Sequence, residues 1–210
     1  MTKEEFRKEL EKLGIYISDE QLNKLEEFYN ILIEENNKIN LTRITKKEDV
    51  YLKHFYDSLT LYKVIDLSRV KTLCDVGSGA GFPGIVLKIV YPNLKITLVD
   101  SLLKRVNYLN KTIERLNLTG IKAIHSRAED YNEKFDVVTS RAVARFDKLI
   151  KWCIHLVKKE GCFIAMKANV EEEIEEAKKV LNNCKIEKVE NFKLPIEYSI
   201  RNLVVVKKIN

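Results

Sequence analysis

The chain has 210 residues, 45% of them apolar and 32% charged, a profile that fits a globular protein built as one large domain or a domain with an appendage. No run approaches the roughly 20 apolar residues of a membrane span, and the charged opening "MTKEEFRKELEKLG" excludes a secretory signal, so a soluble, cytoplasmic protein without membrane contact is expected. The net charge of +6 is uneven: residues 1–70 hold 12 basic and 14 acidic side chains, residues 71–210 hold 25 and 17, and the excess of positive charge in the second part suits a polyanionic partner.

In chain order, Phe6, Leu10 and Leu13 repeat at helical spacing over residues 3–13, and Gly14 ends that segment. Ser18 caps a second helix with Gln21 at the reciprocal position, and Leu22, Leu25, Phe28, Tyr29, Leu32 and Ile33 form its apolar stripe until "NNKIN" breaks the pattern near Asn36 to Asn40. A further helical stretch runs from about 48 to 64. Residues 1–65 therefore read as a helical cap. No Gly-, Pro- or Ser-rich linker follows, so the cap is expected to pack on the remainder, 66–210, instead of swinging free.

From Val70 strands and helices alternate. "KTLCDV" is a strand, "FPGIVLKIVYP" a helix stopped by Pro92, and "KITLVD" a strand. "LLKRVNYLNKTIERLNL" is a helix with Leu102, Val106, Leu109, Ile113 and Leu116 on one face; "IKAIHS" and "FDVVTS" are strands. A helix over 146–157, the strand "CFIAMK" and the helix "EEEIEEAKKVL" follow. "CKIEKVENFKL" and "RNLVVVKKI" end the chain as a hairpin around Pro195. The order predicts an α/β fold: a mostly parallel seven-stranded sheet, covered by helices on both faces, with one antiparallel strand in the C-terminal hairpin. Cys74, Cys153, Cys162 and Cys184 are too far apart for a CxxC site and read as reduced, mostly buried thiols. Three scattered histidines give no metal centre.

The chemistry gathers at "DVGSGAGFPG", residues 75–84, between the first strand and its helix. A P-loop needs Lys followed by Ser or Thr where Phe82-Pro83-Gly84 stands. A dinucleotide fingerprint fits only in a shifted register, Gly79, Gly81, Gly84, leaving Gly77 and Ser78 unexplained. The order acid-x-Gly-x-Gly-x-Gly fits unshifted as Asp75, Gly77, Gly79 and Gly81, which points to S-adenosylmethionine: a carboxylate repels a pyrophosphate but suits an ammonium and a sulfonium. Asp100, at the end of the second strand, is placed to accept ribose hydroxyls, or to cap the next helix. Glu129, past the third strand, faces the adenine position.

After the fourth strand comes Ser140-Arg141-Ala142-Val143-Ala144, where methyltransferases of exocyclic amines place Asn/Asp-Pro-Pro-Tyr/Phe, and no cysteine nucleophile stands there. A purine ring nitrogen such as guanine N7 has a lone pair in the neutral base and needs no general base, only alignment. No residue is therefore assigned as a base. Arg141 is read as positioning cofactor or substrate, or as pairing with Asp75 or Asp136. Arg145, Lys148, Lys167 and Arg201 are the candidates for RNA contact. His54 and Asp57 reach the cofactor pocket or merely cap and pack; His125 and His155 read as structural.

"NLTRI" (40–44), "HFYDSL" (54–59), "DVGSGAGFPG", "LVDSLLKRVNYLN" (98–110), "SRAVA" (140–144) and "RNLVVVKK" together resemble the RsmG family, also called GidB or glucose-inhibited division protein B, over nearly the whole chain. The resemblance implies a class I S-adenosylmethionine-dependent methyltransferase fold and a monomer that methylates N7 of one guanosine in bacterial 16S ribosomal RNA, free or within a small-subunit particle. It implies cofactor contacts at Gly77, Phe82, Ala128, Glu129 and Arg141. One departure is Met166-Lys167-Ala168, where the family commonly has Leu-Lys-Gly. The other readings are a methyltransferase of a different RNA position or a small molecule, and a non-catalytic RNA-binding module with a vestigial pocket.

Overall fold

The computed structural model describes residues 1–209. Helix α1 (Lys3–Lys12) gives way to Gly14, whose φ is +78°. Helix α2 (Asp19–Ile39) starts on the expected reciprocal cap between Ser18 and Gln21. It runs further than "NNKIN" suggests: Lys38 bonds to Glu35 at 2.7 Å within the last turn, and Asn40 closes the helix in the left-handed conformation, φ 49°. The third helical stretch is not uniform. Between α3 (Lys47–Val50) and α4 (Asp57–Leu59) lies a π turn, Tyr51–Tyr56, and a 3₁₀ turn, Thr60–Lys63, ends it.

Strand β1 (Thr72–Val76) leads through the glycine turn into α5 (Gly84–Val90). Then follow β2 (Lys95–Asp100), α6 (Leu103–Arg115), β3 (Ile121–His125) and β4 (Phe135–Arg141). After α7 (Phe146–Cys153) come β5 (Val157–Lys167), α8 (Glu171–Ala177), β6 (Cys184–Lys193) and β7 (Ile200–Lys208). The sheet order is β3-β2-β1-β4-β5-β7-β6. β7 enters between β5 and β6, antiparallel to both, as a hairpin without a crossover helix requires.

Two expectations change. The helix predicted over 146–157 stops at Cys153, and a 3₁₀ turn leads into β5 already at Val157, five residues before "CFIAMK". The polar segment 158–161 reads as a loop but is a widened strand: pairing with β4 jumps from Phe135–Val157 to Val137–Cys162. Leu102, placed on the buried face of the second helix, is the residue before α6 and is 43% exposed.

Apolar burial joins the cap to the sheet. On one sheet face a single cluster unites Phe6, Leu25, Phe28 and Phe55 of the cap with Phe82, Ile85, Leu98 and Ile164. On the other, Phe146 and Leu149 of α7 cover Cys74, Val138 and Phe163. Each such side chain contributes about 1.5–3 kcal/mol on burial, so residues 1–65 share one core with the sheet. All four cysteines are buried and unpaired. Among the described residues no helix is long and apolar enough to cross a membrane, and no cluster of three potential metal ligands occurs.

Candidate functional site

The parallel strands β1, β2 and β4 end side by side, and the glycine turn closes over their C-terminal edge. Gly77 has φ +71°, and its N–H donates to the Val99 carbonyl at 2.7 Å. Gly84 opens α5 so close to β2 that a Cβ there would strike Leu98, and its N–H donates to Asp75 Oδ2 at 2.9 Å. Pro83 is accordingly the residue before the helix and not its first turn. Asp75 is fully buried and lines neither lobe of the adjoining cleft. Its predicted contact with a cofactor ammonium is thus replaced by a grip on the α5 amide from below. Desolvation raises its carboxyl to about 7 against the pull of the Gly84 N–H and the Arg141 charge, and Oδ1 has no hydrogen-bond partner.

The acid that faces the cleft is Asp100. Its Oδ2 accepts from Gly79 N–H at 2.9 Å and its Oδ1 from Leu102 N–H at 2.9 Å; the second bond closes a turn ahead of α6, whose first turn receives no side-chain cap, so the capping role considered for Asp100 is not formed. Each carboxylate oxygen keeps a lone pair for a further donor. The cleft has two lobes joined at Gly77, Ser101 and Val143. One, about 370 Å³, is bounded by Gly79, Phe82, Asp100 and Arg141. The other, about 320 Å³, is bounded by Leu102, Ala128, Glu129 and Trp152. Gly81 lines neither lobe; with φ +96° it turns the loop back under Phe82. The fit to an elongated nucleoside with a charged amino-acid tail is direct. A Cβ on Gly77 would fill the junction, the Asp100 carboxylate suits a diol, and Ala128 with Glu129 offers an amide and an acid to an exocyclic amine.

Arg141, the last residue of β4, is the hub of the first lobe. Its Nη1 donates to Asp57 Oδ2 at 2.9 Å and to the Lys53 carbonyl at 3.0 Å, its Nη2 to His54 Nδ1 at 3.1 Å, and its guanidinium lies 5.2 Å from the Phe82 ring centre. The alternative pairing with Asp75 or Asp136 is not formed; Asp136 instead binds Lys158 at 2.8 Å. The π turn makes the Arg141 contacts possible. Asp57 N–H bonds to the Leu52 and His54 carbonyls, not to that of Lys53 as in an α turn, and the Lys53 carbonyl turns to Arg141. His54 Nδ1 stands 3.1 Å from both the Arg141 Nη2 donor and the Lys53 carbonyl, and Nε2 stands 3.0 Å from Thr42 Oγ1; the Arg141 contact, since a guanidinium only donates, is made by the tautomer that carries its proton on Nε2. The imidazole stacks on Phe82 at 4.4 Å. Burial, and then the Arg141 charge, push its pKa down to about 3.

Opposite pH behaviour follows for these two buried groups. Folded Asp75 keeps its proton to about pH 7, while in the unfolded chain it releases it near 3.9. Its contribution is complete at low pH and is lost as the pH rises through 7. Folded His54 stays neutral down to about 3, while unfolded it is protonated below about 6.5. Its contribution is complete above 6.5 and is lost as the pH falls. Between about pH 4 and 6.5 the slopes oppose, each up to about 1.4 kcal/mol per pH unit. Asp75→Asn is expected to make stability fall relative to wild type on acidification, and His54→Gln to make it rise. Urea unfolding from pH 4.5 to 6.5 checks this, and parallel curves for all three proteins would contradict it.

The candidates for RNA contact do not form an open basic rim. Arg201 Nε is bound to Asp57 Oδ1 at 3.1 Å. Lys167 is bound to Glu173 at 2.8 Å and to the Ala144 carbonyl, and Arg145 to Glu176 and Asp147. Acids of α8 thus occupy two of the four, and only Lys148 stands exposed without an ion pair among the described residues. His125 and His155 each bond a backbone carbonyl, although His125 is exposed. The sequence reading passed over Thr42, Arg105, Val143 and Trp152, which line the cleft from separate elements. For Thr42 the available signal was its place in "NLTRI", one of the stretches carrying the family resemblance.

Sheet order, glycine turn and two-lobed cleft define a class I methyltransferase. The fold is shared with a SAM-dependent O-methyltransferase of Thermotoga maritima (TM-score 0.53, 16% identity, 85% of this chain and 71% of that one). It is shared also with the StiE O-methyltransferase domain (TM-score 0.62, 15% identity, 84% and 81%). The sequence is 49% identical to the ribosomal RNA small subunit methyltransferase G of Bacillus licheniformis, over 99% of this chain and 91% of the relative. It is 43% identical to that of Listeria monocytogenes over the same shares. Residues 21–203 match the family model GidB, rRNA small subunit methyltransferase G. The chain belongs to this family of rRNA methyltransferases.

Proposed function

We propose that the protein transfers a methyl group from S-adenosylmethionine to N7 of one guanosine in bacterial 16S ribosomal RNA, acting in the cytoplasm as a monomer on free RNA or a small-subunit particle. The observation that carries the choice of atom is the state of His54. It is the one imidazole lining the first lobe, it is buried, both its nitrogens are engaged, and its pKa near 3 leaves it a poor base. An exocyclic amine would need its proton taken; a ring nitrogen with a free lone pair does not. When bound, S-adenosylmethionine would supply a methyl on a sulfonium, whose transfer to the N7 lone pair would return the C–S electrons to sulfur and ask no proton of the protein. Asp100 and the Gly77–Gly79 backbone would hold the ribose and tail, and Ala128 and Glu129 the adenine edge.

Incubating the protein with methyl-labelled cofactor and ribosomal RNA from cells lacking the enzyme is expected to label one guanosine at N7. Label on an exocyclic amine or a ribose, or transfer that proceeds without RNA, would refute the assignment.

A further inference from the structure

Behind Arg141, on the side away from the glycine turn, lies a third chamber of about 260 Å³. His54, Arg141 and Ala142 line both this chamber and the first lobe of the cleft, so the two adjoin at these residues. Its walls are mainly apolar: Ile44 from the cap, Met166 at the end of β5, Phe192 from β6 and Leu203 from β7, with Ala168 at the rim. The charged groups facing it are largely matched. Asp57 holds Arg141 and Arg201 on its two oxygens, Lys53 is paired with Glu197 at 2.9 Å and with Asp49, and Lys167 with Glu173. Arg201 Nη2 makes no hydrogen bond among the described residues.

We infer that this chamber receives the target guanine, turned out of its RNA strand, and that Arg141 selects guanine while Asp57 acts as a positioning residue. The inference rests on the methyltransferase reading above. Mainly apolar walls with charged groups already paired suit an unstacked base, and the volume lies just below the roughly 300 Å³ at which drug-sized pockets begin. The base must show N7 to the cleft, and the neighbouring atom on that edge is O6 in guanine but an amino group in adenine. Arg141, which stands where chamber and cleft adjoin, offers only donors. It accepts O6 as a partner and is mismatched with the adenine amino group, and by holding O6 it leaves N7 pointing past it toward the methyl donor. Asp57 fixes Arg141 from the chamber side. It also offsets the charge of two guanidiniums beside a base that becomes a cation when N7 is methylated.

The test uses the full chain with two readouts: calorimetry with S-adenosylhomocysteine, and methyl transfer to small-subunit RNA from cells lacking the enzyme. Ala168→Trp fills the chamber from an exposed position. It is expected to bind S-adenosylhomocysteine within twofold of wild type and to lose transfer at least 100-fold, while Tyr16→Trp, at an exposed residue that lines neither cleft nor chamber, keeps both. Asp57→Asn is expected to lower kcat 10- to 100-fold with little change in the KM for S-adenosylmethionine. Wild-type transfer by Ala168→Trp, or loss of S-adenosylhomocysteine binding in that variant, overturns the chamber assignment. So does an equal loss of transfer in Tyr16→Trp. Failure of wild type itself to methylate guanine N7 removes the methyltransferase reading and the chamber assignment with it, a result distinct from wild-type transfer with an active Ala168→Trp.

Discussion

Gly77→Leu is expected to abolish binding of S-adenosylmethionine while leaving a folded protein. Residue 77 sits at φ +71° where the two lobes meet, and a Cβ there would collide with Val143 and stand 3.1 Å from its Cγ1. Val143 is 41% exposed and can swing outward, so the collision itself is inexpensive to the fold. The backbone strain of an L-residue in this conformation costs about 1–2 kcal/mol, or a few degrees of Tm for a chain of this size. The cleft has no such outlet: a leucine side chain would occupy the junction that an elongated nucleoside must cross. Calorimetry should show at least a 100-fold loss of affinity, equivalent to about 2.8 kcal/mol. Gly14→Ala supplies the control, since Gly14 has φ +78° and its Cβ would meet only the Tyr62 ring at 3.9 Å, far from the cleft. It should share the modest Tm loss and bind the cofactor normally. Equal affinity in Gly77→Leu and wild type would remove the turn from the cofactor site.

What the sequence made legible was what neighbours in sequence decide. "KITLVD" is β2 to the residue, because alternation and burial of a central parallel strand depend only on the strand itself. The glycine turn was readable because its backbone demands glycine. Asp75 shows the limit. The register was argued from its charge facing a cofactor, yet the carboxylate lies buried beneath the turn, since nothing local says that the Gly84 N–H will approach within 2.9 Å of it. The same limit hid the hub. Arg141 and Asp57 are 84 residues apart, Arg201 and Asp57 144. Three of the four basic residues proposed along the chain for RNA contact are in three dimensions partners of acids from α4, α7 and α8. The π turn was equally invisible, because "YLKHFY" has an ordinary helical pattern and only the tertiary demand for the Lys53 carbonyl distinguishes it.

The hub therefore joins structure and chemistry at one residue, and separating the two requires a graded substitution. Arg141→Ala removes the contacts to Asp57, the Lys53 carbonyl, His54 and the Phe82 ring at once. Asp57, 5% exposed, would keep Arg201 as its only cation. Breaking a buried pair outright costs about 3–5 kcal/mol; with Arg201 still in place the expected loss is about 2–3 kcal/mol, or roughly 4–12 °C of Tm. Activity should fall further, by 100-fold or more, since misplacing a reacting group by about 1 Å already costs about that factor. Arg141→Lys distinguishes the two roles. A single ammonium neutralises Asp57 and restores most of the lost Tm, but it has no planar fork to hold Asp57, the Lys53 carbonyl and His54 together. The lysine variant is therefore expected to melt near wild type and to remain at least 10-fold impaired in kcat, with cofactor affinity close to normal. If activity instead returns in proportion to Tm across the alanine and lysine variants, Arg141 serves the fold alone. The selection of guanine through its O6 would then have to come from the other guanidinium lining the chamber, that of Arg201, whose Nη2 is without a partner among the described residues.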